Sequence, residues 1–136
     1  MIVRKFQPED GMAVKDDLVE SKWNGVFTRK AFCSITGPGY TVVHAGKVIG
    51  CGGVIINGGE GEAWCAFAKS IPLKTALNMA IIVKKMLANI IEANHLRRVY
   101  ARVGKNFRKG RRYVKFLGFK PVGPIGAETL MYVREA

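Results

Sequence analysis

The fold of this chain is decided by residues 99–120, which read VYARVGKNFRKGRRYVKFLGFK. The first five residues alternate apolar side chains with a tyrosine and an arginine, which predicts a strand at Val99–Val103. A basic segment follows from Asn106 to Leu117 and predicts a helix. Gly118 favours the left-handed backbone that ends helices. The stretch therefore predicts a strand, a turn, a short helix and a sharp stop.

Two elements before this stretch complete a crossover. Apolar residues recur at helical spacing between Leu73 and Ile91, which predicts a long helix from Pro72 to about Asn94. A strand is predicted at Glu62–Phe67, before this helix, and another at Arg98–Val103, after it. A strand, a long helix and a second strand imply a parallel βαβ unit.

The N-terminal half predicts a strand, two helices and a hairpin. The strand is Ile2–Phe6, and Pro8 begins a helix that runs to Ser21, with Glu9 and Asp10 in its first turn. A second short helix is expected within Trp23–Ile35. The hairpin has arms at 40–44 and 47–56, and glycines 50, 52 and 53 in its second arm favour a bulge or a close backbone approach. Two final strands are expected at 119–122 and 130–134.

Size and composition indicate one compact domain over residues 1–136. No run of about 18 apolar residues exists, so no membrane span is expected. The N-terminus turns acidic early, so no signal peptide is expected. Three separated cysteines and two histidines argue against a disulfide framework or a metal site, and they fit the reducing cytoplasm.

The formal charge of +12 is distributed unevenly. Residues 93–127 contain ten Lys or Arg and no acidic residue. This pattern predicts a basic face, whose partner is nucleic acid, a phosphate-rich cofactor or an acidic protein. Aromatic residues at 100, 107 and 113 lie among these cations and could stack bases, which keeps nucleic-acid binding as an alternative.

The strand, the Asn106 turn, the basic helix and Leu117-Gly118-Phe119 resemble the C-terminal signature of the GNAT superfamily of acyl-CoA-dependent N-acetyltransferases. The predicted order β-α-α-β-β-β-α-β-α-β-β is also the order of that fold. The resemblance implies an α/β, mixed α+β architecture. Its sheet would be mixed and mostly antiparallel, with a central parallel β4-α3-β5 unit.

The run from Asn57 to Ser70 also looks like small GNAT-like proteins encoded by tailed phages, including a class of internal virion proteins. That resemblance would place the protein in the cytoplasm of an infected host cell. It also gives an alternative to catalysis, namely a GNAT-shaped virion component or a protein that binds a host factor. The oligomeric state is left open.

The GNAT resemblance implies transfer of an acetyl group from acetyl-CoA to an amine by direct attack in a ternary complex. Glu62 matches the position of the general base, with Glu60 as second choice. The backbone of Cys65, Ala66 and Phe67 would pair with acetyl-CoA and polarise the thioester carbonyl. A protein acceptor is favoured, because the chain has few acidic residues with which to shape a pocket for a small cationic amine.

The family holds pyrophosphate with a glycine-containing loop before the long helix, and this chain has Ala68–Thr75 at that place, without the glycines. A helix start flanked by cationic and hydroxyl side chains still favours phosphate, which indicates Lys69, Ser70, Lys74 and Thr75 as ligands. Asn106, Arg108 and Lys109 match family positions that contact the rest of acetyl-CoA.

The proton donor to the leaving thiolate is the weakest match. The family tyrosine falls at Val114, so the neighbouring Tyr113 is the candidate acid, with Tyr132 or water as alternatives.

Overall fold

The computed structural model describes residues 1–17 and 28–136. Its elements, in chain order, are β1 Ile2–Lys5, α1 Pro8–Val14, α2 Arg29–Cys33, β2 Gly39–His44, β3 Lys47–Asn57, β4 Glu60–Phe67, α3 Leu73–Ala93, β5 Arg98–Gly104, α4 Arg108–Phe116, β6 Lys120–Pro124 and β7 Thr129–Glu135. A single turn of 3-10 helix at Lys15–Asp17 follows α1.

The strands form one sheet in the order β1-β2-β3-β4-β5-β7-β6. Strands β1, β2 and β3 pair antiparallel, as do β5, β7 and β6. Strands β4 and β5 pair parallel, and α3 connects them. The predicted mixed, mostly antiparallel sheet with a central parallel β4-α3-β5 unit is therefore confirmed.

Most predicted boundaries agree with the structure within two residues. Helix α4 begins at Arg108 rather than Asn106, because Asn106 and Phe107 form the turn and the cap before it. The first helix is α-helical only to Val14 and then tightens into the 3-10 turn. The rest of its predicted span, and the N-terminal part of the second helix, lie outside the described residues.

The chain divides into two compact units, one of residues 1–55 and 64–76 and the other of residues 56–63 and 77–136. The expectation of a single domain over 1–136 stays a prediction. Among the residues that the structure describes, no helix is long and apolar enough to cross a membrane. The same residues include no group of three or more His, Cys, Asp or Glu side chains arranged to hold a metal ion.

The first unit has an aromatic cluster beside a small aliphatic core. Phe6 packs edge-on against Trp64 at 4.9 Å between ring centroids, and Phe32 lies 6.1 Å from Phe6. Gly11 lets α1 approach the Phe32 ring, because a Cβ at Gly11 would stand 2.5 Å from it. This contact explains a glycine at position 11, although glycine is unfavourable inside a helix.

Asp10 is the polar centre of the first unit. Its buried carboxylate accepts hydrogen bonds from Arg4 at 2.6 and 2.8 Å, from the Thr41 hydroxyl at 2.7 Å and from the Gln7 backbone N–H at 2.9 Å. Burial alone would raise the pKa of Asp10, but the hydrogen bonds from Arg4, Thr41 and Gln7 together lower it. The network therefore fixes β1 and β2 to the start of α1.

The glycines of β3 have the two functions that their positions predict. The β2–β3 register shifts between Val42 and Val43, which marks a bulge. A Cβ on Gly52 would stand 2.7 Å from the Trp64 carbonyl oxygen and 3.2 Å from the Cys65 Cβ, so only glycine fits there. Strand β3 thereby approaches the second half of β4 closely.

The second unit has its core along β5 and the turn after α4. Val99, Ala101 and Val103 are buried on one face of β5. At the end of α4, the Phe119 N–H donates to the Val114 carbonyl and the Gly118 N–H to that of Lys115, both at 3.0 Å, with Gly118 at φ +100. This pair of bonds is a Schellman motif, and it confirms the predicted stop.

Candidate active site

The parallel ladder between β4 and β5 is short. It pairs Glu60–Ala63 with Arg98–Ala101, whereas β4 continues to Phe67 and β5 to Gly104. The segment predicted to pair with acetyl-CoA, Cys65–Phe67, therefore lies in the part of β4 after its ladder with β5 has ended. Cys65 is exposed, Ala66 is buried and Phe67 is half-buried.

The segment after β4 is held by an acidic residue that the sequence analysis did not identify. Asp17 accepts from the Ser70 hydroxyl at 2.8 Å and from the Ser70 N–H at 3.2 Å. The Lys69 N–H donates to the Asp17 carbonyl oxygen at 2.8 Å. Two donors of the predicted phosphate loop therefore already bind a carboxylate. The 53 residues between Asp17 and Ser70 explain why no local pattern revealed the pair.

The start of α3 retains the features that favour an anion. Its first intrahelical bond runs from the Ala76 N–H to the Pro72 carbonyl, at 3.0 Å. The first turn contains no acidic residue. Lys74 is exposed there, whereas Thr75 is buried. Lys74 is therefore the more accessible of the two predicted ligands in this helix, and both stay predictions.

The predicted base, Glu62, is half-buried on β4 and forms an ion pair with an arginine. Its Oε1 lies 2.9 Å from the Arg102 Nε, and the two side chains are 43% and 60% exposed. Glu60, the second choice, pairs with the Arg98 Nε at 3.2 Å. The Tyr100 side chain, followed by Glu135 and Glu60, raises the pKa of the Arg98 guanidinium. These pairs connect neighbouring strands and leave both glutamates reachable from solvent.

Helix α4 begins with exposed cations. Asn106, Arg108 and Lys109 are all exposed. The first turn has no acidic residue and no side-chain cap. Cations in the first turn oppose the helix dipole, so the charge is unfavourable there until an anion binds. This turn is the part of the second unit best suited to phosphate.

The two candidate acids differ in accessibility. Tyr132 is fully buried, and its hydroxyl accepts a hydrogen bond from the Arg111 Nε at 3.2 Å. Tyr132 is thus part of the support beneath α4 rather than a group that meets solvent. Tyr113 is half-buried with its hydroxyl oxygen covered. Tyr113 stays a prediction as the acid.

The predicted residues fall into two groups. Cys65, Ala66, Phe67, Lys69, Ser70, Lys74 and Thr75 belong to the first unit, on one continuous segment. Glu62, Asn106, Arg108, Lys109 and Tyr113 belong to the second unit. The structure adds three residues that sequence reasoning missed: Asp17, Arg102 and Arg111.

Many solved structures are similar to this chain in fold, although no family model and no curated protein matches the sequence. The PaiA N-acetyltransferase from Thermoplasma acidophilum, solved in complex with coenzyme A, is similar at TM-score 0.75 and 12% identity over 99% of this chain and 98% of that chain. The ribosomal-protein-S18-alanine N-acetyltransferase from Escherichia coli gives TM-score 0.74 and 13% identity over 98% and 92%.

An acetyltransferase of the GNAT family from Bacillus anthracis gives TM-score 0.71 and 17% identity, covering 98% of this chain and 93% of that chain. The likeness therefore extends over nearly the whole of each chain, and it includes the parallel β4-α3-β5 unit. At these identities it establishes architecture alone. The chain has the GNAT fold.

Proposed function

We propose that this protein is an N-acetyltransferase that moves an acetyl group from acetyl-CoA to an amine. The observation that supports this most strongly is the fold, which matches N-acetyltransferases along nearly the full length of each chain. One of these relatives was solved with coenzyme A. The basic first turn of α4 supplies this chain with a second, independent reason to bind a phosphate-rich molecule.

The reaction is a direct transfer. The amine nitrogen attacks the thioester carbonyl carbon, a C–N bond forms, and the C–S bond breaks as sulfur leaves with its electron pair. Glu62 would accept the amine proton, with Arg102 fixing the orientation of its carboxylate. Backbone groups at Cys65–Phe67 would polarise the carbonyl. Because the Tyr113 hydroxyl is covered, water is the simpler source of the proton that the thiolate takes.

Acetyl-CoA would be held mainly by α4 in this proposal. Asn106, Arg108 and Lys109 are exposed and combine an amide with two cations. The segment Lys69–Thr75 fits less well, because Ser70 is bound to the Asp17 carboxylate. Lys69 and Lys74 would contribute charge there, and a phosphate would have to share the Ser70 donors with the Asp17 carboxylate.

We favour a protein amine as the acceptor and the cytoplasm as the location. A small polyamine requires clustered carboxylates, whereas Glu60 and Glu62 are each paired with an arginine. The name of one structurally similar enzyme gives a ribosomal protein as the acceptor. Cys33, Cys51 and Cys65 form no disulfide bond, which suits a reducing compartment, including the cytoplasm of a host cell if the chain is phage-encoded.

A non-catalytic GNAT-shaped protein is the second candidate, and Asp17 is the observation that favours it. A carboxylate that occupies the phosphate loop opposes pyrophosphate binding. Such a protein would be a virion component or would bind a host factor through its surface, and it would not bind acetyl-CoA.

A transfer assay distinguishes the two candidates. Protein, acetyl-CoA and a mixture of peptides with free α-amines and lysines are incubated, and released thiol and acetylated peptide are followed together. We expect both products at equal rates, and loss of both in Asn106→Ala with Arg108→Ala. The control is Asn89→Ala with Arg112→Ala, which removes the same residue types from exposed positions. Thiol release without acetylated peptide, or no release at all, would contradict the enzyme proposal.

A further inference from the structure

Helix α3 has two apolar faces instead of one. One face is buried and includes Met79, Leu87 and Ile90. The other contains Leu73, Leu77 and Ile81, spaced four residues apart, and these side chains are 75%, 58% and 58% exposed. Residues four apart lie one above the other on a helix, so these side chains form a continuous stripe.

The second face breaks the usual pattern of a helix that covers a sheet. Such a helix normally has one apolar stripe against the core and polar residues opposite it. Single exposed leucines are common, but a contiguous exposed apolar stripe marks an interaction site. Ala88 lies on the same face two turns further on and extends the stripe.

A neighbouring aromatic ring broadens the surface. Phe116 of α4 is 44% exposed, and the Lys84 Nζ stands 4.8 Å from its ring centroid. Lys84 lies one turn after Ile81 on α3. All five residues of this surface belong to the second unit, and we refer to them together as the α3 stripe: Leu77, Ile81, Lys84, Ala88 and Phe116.

The charges around the α3 stripe select the partner. Lys85, Arg112 and Lys115 are exposed beside it, and α3 contains no acidic residue before Glu92. Among the described residues, no ion pair joins these three cations to a carboxylate. The surface therefore combines an apolar centre with a cationic rim, which is complementary to an apolar stripe with an acidic rim.

We propose that the α3 stripe docks an amphipathic helix with acidic flanks from a partner protein. The anchors at 77, 81, 84 and 88 have the spacing with which two helices pack side by side. From Leu77 to Ala88 the helix rises about 17 Å, which accommodates roughly three turns of a partner helix. A second copy of this chain is a poor occupant, because each copy has a formal charge of +12 and the same cationic rim. The proposal does not depend on acetyl transfer.

The probe is a synthetic capped peptide of 18 residues, with leucines along one helical face and glutamates elsewhere, labelled for fluorescence anisotropy. A peptide with lysine in place of glutamate tests charge, and a scrambled acidic peptide tests helical register. The test variant is Leu77→Ser with Ile81→Ser. The matched control is Val122→Ser with Ile125→Ser, which removes two exposed apolar side chains at 62% and 45% from the same unit.

We expect the acidic helical peptide to bind and the other two peptides to bind much more weakly. Removal of two half-exposed aliphatic anchors should weaken binding by roughly thirty-fold, with little change in the control. Equal binding of the acidic and scrambled peptides, no binding of either, or equal losses in both variants would overturn the proposal. The proposal would also be overturned if sedimentation showed that the wild-type protein is a dimer and that the Leu77→Ser, Ile81→Ser variant is a monomer. Binding to vesicles or oligonucleotides that the same variant abolishes would overturn it as well.

Discussion

Replacement of Asp17 by asparagine should strengthen the binding of acetyl-CoA. In the structure the Asp17 carboxylate binds the Ser70 hydroxyl at 2.8 Å and the Ser70 N–H at 3.2 Å. A pyrophosphate at the start of α3 would have to share those donors with a second anion. Asp17→Asn removes the charge but keeps an oxygen that accepts from Ser70, and the bond from the Lys69 N–H to the backbone oxygen is untouched.

The size of the effect follows from the geometry. A phosphate oxygen bound to the same donors would stand roughly 4 to 5 Å from the carboxylate. Ser70 is exposed, so water screens the pair, and two unit charges at that distance repel by about 1 kcal/mol. Removal of that repulsion corresponds to about five-fold tighter binding. The gain should shrink as salt rises, because exposed charges are screened.

The assay is calorimetric titration with acetyl-CoA at low and at moderate salt. Any loss of an acidic residue makes the protein more attractive to a polyanion, so the control is Glu9→Gln. Glu9 is exposed in the same unit and pairs with Arg29 at 3.2 Å. A gain in Asp17→Asn no larger than that in Glu9→Gln, or weaker binding in Asp17→Asn, would refute phosphate binding by Lys69–Thr75.

Three further predictions concern the base, the core network and the glycine strand. Glu62→Gln should slow acetyl transfer by about a hundred-fold and leave the affinity for acetyl-CoA nearly unchanged, whereas Glu60→Gln should have little effect on the rate. If the two variants lost equal fractions of the transfer rate at saturating substrate, Glu62 would be removed from the mechanism. Thr41→Val should lower the free energy of unfolding by about 1 to 2 kcal/mol at pH 7, as measured by urea denaturation, because Asp10 loses a buried donor. The pKa of Asp10 is lowered in the folded state, so its charge stabilises the fold at pH values above the unfolded pKa of about 3.9, and this stabilisation is lost as pH falls through the folded pKa. The difference in unfolding free energy between wild type and Thr41→Val should therefore shrink as pH falls through the folded pKa. A difference that stays constant down to pH 2 would contradict the bond between Thr41 and the Asp10 carboxylate. Gly52→Ala should destabilise by about 1 to 3 kcal/mol, because its Cβ would stand 2.7 Å from the Trp64 carbonyl oxygen, and an unchanged denaturation midpoint would show that β3 and β4 can separate at no cost.

The architecture could be predicted because its signals are local. The helical spacing of apolar residues located α3, and Gly118 within Leu117-Gly118-Phe119 located the end of α4. The short connection between the arms of the predicted hairpin made β2 and β3 antiparallel. Each of these signals lies within a few residues of the element that it predicts.

The contacts of the candidate site could not be predicted in the same way. Asp17 meets Ser70 across 53 residues, and Arg102 meets Glu62 across the β4–β5 ladder. Partners of this kind depend on register and side-chain rotamer, which no periodicity encodes. The charge of residues 93–127 was evident from the sequence. Only the structure shows that Arg98 and Arg102 are paired on β5, whereas most cations of α4 are exposed.

The measurement that tests the central claim most directly is calorimetric titration of the wild-type protein with acetyl-CoA. ATP and a short DNA duplex serve as controls for general attraction of polyanions to a chain with a formal charge of +12. The enzyme proposal predicts binding of acetyl-CoA with micromolar affinity and at least ten-fold weaker binding of both controls. Equal affinities for all three ligands, or no binding of acetyl-CoA, would contradict it and leave a GNAT fold whose basic surface serves another partner.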